Sequence, residues 1–97
     1  MTDQELRTLP GGDLVARGLG DLAAGRESLE SLLVEIAASR LRYAGLDVPE
    51  IGPRSEAAEL RLYKRLEETH PAPYGAYNSL LRQLASCARA LEVRPLA

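Results

Sequence analysis

A chain of 97 residues fits one helical domain spanning 1–97, and 18 Leu and 14 Ala supply 32 of its 44 hydrophobic residues, with four Tyr and no Phe or Trp. The formal charge is −2, and residues 73–97 carry only three Arg against one Glu, too weak for the basic stripe of a protein that tracks a phosphate backbone. The lone Cys87 excludes an internal disulfide and a zinc site within one chain, and no apolar run approaches the roughly 18 residues of a membrane span.

The single cysteine suits a reducing compartment, and Met1-Thr2-Asp3-Gln4-Glu5 is acidic and polar, unlike a secretory signal; the expected location is cytoplasmic. Alanine adds little buried area, so leucine carries most of the hydrophobic term and the core is thin for its length. Association with a second copy or another protein would add burial.

Thr2 with Glu5 three residues later reads as a capping box opening a short helix through about Leu9. Pro10-Gly11-Gly12 ends it. Asp13 is a natural N-cap for a second short helix over roughly 14–24, with Leu14, Val15, Leu19 and Leu22 on one side and Gly25 as the stop.

The third segment is strong. Ser28 caps it, and Leu29, Leu32, Leu33, Ile36 and Ala37 recur at three and four residues. Leu41, Tyr43 and Ala44 broaden its apolar side, and Gly45 closes a helix over 28–44. Leu46 to Pro53 form an irregular linker whose Leu46, Val48 and Ile51 predict a loop packed on the body. Ser55 opens a helix over 56–70 in which Ala58, Leu62 and Leu66 fall four apart, and Pro71 forbids continuation.

Pro73 sits where a first helical residue belongs. Tyr74, Tyr77, Leu81, Leu84, Ala88 and Leu91 then follow at gaps of three and four, the cleanest heptad-like register in the chain, over 73–93. The fold class expected is all-α: a small bundle of three main antiparallel helices at 28–44, 56–70 and 73–93, with two short N-terminal helices laid across them.

Arg65-Leu66-Glu67-Glu68-Thr69-His70 sets an Arg and a His with four residues between them. In this it resembles the motif of the HEPN ribonuclease family. The resemblance implies a small helical domain, often dimeric and often partnered with a nucleotidyltransferase, whose Arg and His meet at a dimer cleft and act on RNA phosphodiesters. On that resemblance Arg65 would stabilise phosphate charge and His70 would transfer protons. It covers six residues, with Leu66 where a small polar residue is usual and His70 running straight into Pro71. The residues also have a simpler reading, in which His70 meets the carbonyls and dipole at a helix C-terminus.

Other constellations point to packing. Glu67 and His70 have the Glu-x-x-His spacing of carboxylate-bridged metal bundles, but one His cannot supply the two pairs such a site needs. Gly18-Leu19-Gly20-Asp21-Leu22-Ala23 fits G-x-G-x-x-A without the preceding strand that a nucleotide loop requires, so these glycines read as close helix approach or a bend. Cys87 beside the Leu84–Leu91 seam reads as a small packing residue. Tyr74 and Tyr77 read as core-facing, with a pocket or partner groove as the functional alternative. Arg82 and Arg89 fall on the opposite side from that seam.

The reading taken from these residues is a non-catalytic protein-interaction or oligomerising domain, a homodimer or a small subunit, with no cofactor and no metal. Its contact is expected from Leu29, Leu33, Ile36, Leu41 and Tyr43 of the third segment, or from Tyr74, Tyr77, Leu81 and Leu84 of the last. The alternatives are a HEPN-like ribonuclease or nucleotidyltransferase partner using Arg65 and His70, and a regulatory nucleic-acid-binding module.

Overall fold

The computed structural model describes residues 1–52 and 56–93. It is all-helical, with no strand among the described residues: α1 Asp3–Arg7, α2 Gly12–Ala23, α3 Leu29–Ile36, α4 Ala38–Tyr43, α5 Ala58–Thr69 and α6 Pro73–Glu92. Helices α2, α3, α5 and α6 close a ring, each packed on the next and α6 returning to α2. Helix α1 rests against α2, and α4 continues from α3. Arg61 pairs with Glu35 while Arg65 pairs with Glu27, so rising numbers in α5 meet falling numbers toward the start of α3 and the two run antiparallel.

The second helix is a full member of this ring and more than a strut laid across it. Gly18 explains how. A side chain there would run into the Glu30 carbonyl and the Val34 Cγ2 atom, so the missing Cβ is what lets α2 lie directly on α3. The helix also starts earlier than Asp13. Its N-cap is Gly11, in the left-handed region at φ 69°, and Gly12 sits against the Leu6 carbonyl where no Cβ fits. Asp13 instead lies in the first turn and accepts a hydrogen bond from Arg7. Helix α1 ends at Arg7, short of Leu9, as the Thr8 hydroxyl donates to the Glu5 carbonyl.

The expected helix over 28–44 divides at Ala37, whose φ of −104° and ψ of 14° leave the helical basin. No Gly or Pro marks the spot. The bend redirects α4 so that Leu41 is fully buried and Arg40 reaches Glu92 at the end of α6. Gly25 and Gly45 act as the stops expected. After each, paired backbone bonds return to the helix, Gly25 to Leu22 with Arg26 to Asp21, and Gly45 to Arg42 with Leu46 to Leu41, which is the Schellman arrangement. Helix α5 begins at Ala58 rather than 56, and Ser55 lies outside the described residues.

The core is aliphatic. Leu32, Leu33, Leu41, Leu62 and Leu66 are its largest fully buried side chains, and it contains no tyrosine. The linker packs on it as expected, with Val48 buried and Leu46 and Ile51 partly so. Arg42 holds that loop by donating to the Val48 and Pro49 carbonyls. No helix among the described residues is long and apolar enough to cross a membrane.

Candidate functional site

The corner between α5 and α6 follows from its prolines. Pro71 cannot continue α5 and biases the preceding residue toward extended backbone. His70 adopts φ −126° and ψ 138°, and its N–H closes the helix onto the Leu66 carbonyl. Pro73 then occupies the first turn of α6, where its missing N–H costs nothing. The reversal brings Tyr63 of α5 beside Tyr74 and Tyr77 of α6.

These three tyrosines, with Glu59 and Leu60, line a shallow groove of about 370 Å³. Tyr63 and Tyr77 meet edge to face, with centroids 5.7 Å apart and planes at 71°, a favourable arrangement for rings of opposed edge and face charge. Tyr74, core-facing by its register, is instead 70% exposed because the seam of α6 meets the core only from Ala76 and Tyr77 onward, and Leu60 is 48% exposed. Glu59, the one charged group in the lining, forms no ion pair among the described residues. The groove is therefore apolar with an acidic edge.

The other positions expected at a contact divide by depth. Leu33, Leu41 and Leu84 are buried, so their surface is spent inside the chain's own core. Leu29, Ile36, Leu81 and Tyr77 are partly buried against that core. Tyr43 is 95% exposed at the end of α4. Leu60 and Glu59 were not among the expected residues. The available signal was that Leu60 is apolar yet lies off the Ala58, Leu62, Leu66 stripe.

Arg65 and His70 have separate partners within the chain. The Arg65 guanidinium donates to the Glu27 carboxylate at 3.3 Å and to the Glu27 carbonyl at 3.4 Å. His70 Nδ1 lies 2.9 Å from the Thr69 hydroxyl, which itself donates to the Arg65 carbonyl at 2.9 Å. A hydroxyl has one hydrogen to give, so with that hydrogen on the carbonyl, His70 donates through Nδ1–H. The imidazole thus meets the Thr69 hydroxyl, and it is the His70 backbone N–H that bonds a helix carbonyl.

A second cleft, of about 300 Å³, lies where Arg26, Ser31, Glu35 and Arg61 converge. Most of its charges are paired, while Glu50, also in the lining, forms no ion pair among the described residues. Arg61 pairs with Glu27 and with Glu35, and Arg26 pairs with Asp21. No group of three His, Cys, Asp or Glu among the described residues is placed to hold a metal. Cys87 is buried, and burial pushes its thiol pKa up, which disfavours the thiolate that chemistry would need. Of the two glycines in the G-x-G-x-x-A stretch, Gly18 is enclosed between α2 and α3, whereas nothing lies within 4 Å of a Cβ at Gly20.

Comparison of the chain with protein-family models, with curated proteins and with solved structures finds no match.

Proposed function

We propose that this chain is a protein-association module that works as a homodimer in a reducing cytoplasm, with the α5–α6 groove at the contact. One observation carries the reading. Three of the chain's four tyrosines and an exposed leucine gather in a surface groove, while the core holds none of the aromatic side chains. Exposed aromatic area is costly in water and concentrated at interfaces, where tyrosine contributes large contact area at small entropic cost.

Sedimentation equilibrium tests it. The wild type is expected to dimerise, and Leu60→Ser or Tyr74→Ser to weaken the dimer without loss of helical circular dichroism. A wild type that stays monomeric to about 1 mM overturns the homodimer. If that monomer then binds a different protein through the same two residues, the module is a small subunit instead.

A further inference from the structure

We infer that Tyr74 stacks on the guanidinium of Arg82 from a second copy, twice over, across a two-fold axis at Asn78 of α6. This rests on the homodimer proposed above and names the pair of side chains that holds it.

The argument begins with helix geometry. Tyr74, Asn78 and Arg82 are spaced four apart in α6, so they span about 80° of arc and about 12 Å along the axis. A closed dimer of identical chains is isologous: if one residue meets another across the axis, the reciprocal contact forms as well. Antiparallel pairing of α6 about Asn78 sets each Tyr74 against the opposite Arg82.

The side chains suit the arrangement. Tyr74 is mostly exposed. Arg82 is exposed and forms no ion pair among the described residues. The groove beside Tyr74 carries the unpaired Glu59 and no positive charge, so an incoming cation meets both a ring face and a carboxylate. Arginine is the cation that does this best, since its planar, weakly hydrated guanidinium stacks on aromatic faces. Gly75 and Ala85 flank the stripe, both exposed, and nothing lies within 4 Å of where a Gly75 Cβ would be. A second helix can therefore come close.

The test measures dimer dissociation constants by sedimentation for wild type, Tyr74→Ala, Tyr74→Phe, Arg82→Ala, Arg89→Ala and the Tyr74→Ala/Arg82→Ala double variant. Tyr74→Ala and Arg82→Ala are each expected to weaken the dimer by roughly 5- to 30-fold. The double variant should be no weaker than the worse single one, because both remove the same contact. Tyr74→Phe, which keeps the ring, and Arg89→Ala, which lies off the pair, should stay within about twofold of wild type. Asn78→Cys should form a disulfide-linked dimer on mild oxidation, since a residue on the axis meets its own copy. If Arg82→Ala leaves dimerisation intact while Leu60→Ser and Tyr74→Ala weaken it, the Arg82 pairing is wrong and the groove remains the interface. A wild type that never dimerises removes both.

Discussion

Arg40 and Glu92 stand 52 residues apart and are joined by two parallel hydrogen bonds. Arg40 Nε donates to Glu92 Oε2 at 2.7 Å, and Nη2 donates to Oε1 at 2.8 Å. The fork ties α4, bent away from α3 at Ala37, to the final turn of α6. A carboxylate at a helix C-terminus is poorly placed against the dipole, and the guanidinium opposite offsets that. The Arg40 bonds hold the Glu92 carboxyl below the usual carboxylate range.

That shift has a definite sign. A carboxylate whose pKa is lower folded than unfolded contributes stability above its unfolded pKa, and the contribution is lost as pH falls through the folded value. Glu92→Gln is therefore expected to lower the melting temperature at neutral pH. The gap from wild type should close on acidification below the carboxylate range, and it should narrow in high salt because both side chains are well exposed. Melting curves over pH check this. A gap that stays constant into strong acid would show that the carboxylate charge is irrelevant there.

Gly18 and Gly20, two residues apart in α2, should respond in opposite ways to alanine. Helix propensity favours alanine over glycine by about 1 kcal/mol at either site. At Gly20 nothing lies within 4 Å of the added carbon, so Gly20→Ala should stabilise by up to that amount. At Gly18 the carbon meets the Glu30 carbonyl and Val34, and overpacking costs about 1–3 kcal/mol. A backbone carbonyl cannot step aside as a side chain can, so the net effect at Gly18 is destabilising. Urea unfolding of the two variants checks the difference in sign.

The same contrast shows what the sequence made legible. Helix α6 was readable because Pro73 opens it and a regular seam packs on the core from Tyr77 to Leu91. The stops at Gly25 and Gly45 were readable because a left-handed residue after a helix calls for glycine. The break at Ala37 was not, since it arises from where Leu41 and Arg40 find partners far along the chain. The start of α2 was misplaced because Asp13 has the chemistry of a cap, whereas the contact of Gly12 with Leu6 decides the position. At the groove, the register placed Tyr77 correctly against the core but put the exposed Tyr74 there as well. Leu60 did not, because a residue off the main stripe acquires meaning only when α6 folds back beside it.

Ser28 joins two helices and should be worth more than its exposure suggests. Its hydroxyl accepts from the Ser31 N–H at 3.0 Å and donates to the Asp21 carboxylate at 2.7 Å, so the N-cap of α3 is fastened to the end of α2. The Ser28 hydroxyl, with Arg26 beside it, holds the Asp21 carboxyl below its ordinary range. Ser28→Ala should cost about 0.5–2 kcal/mol by chemical denaturation, and Ser28→Thr should retain most of the stability because threonine caps in the same way. An alanine variant as stable as wild type would place the joint elsewhere.

Arg65 and His70 provide the sharpest contrast between a structural and a chemical role. The Arg65 bonds to Glu27 link α5 to the start of α3, and the ring of His70 rests on Thr69 at the end of its helix. A phosphate at Arg65 would compete with that carboxylate for the guanidinium. The expectation is that wild type, Arg65→Ala and His70→Ala all leave single-stranded RNA intact over long incubation. Arg65→Ala should cost at most about 1 kcal/mol of stability, as exposed pairs do. Cleavage by wild type that disappears in both variants, with the helical circular dichroism retained, would reverse this assignment.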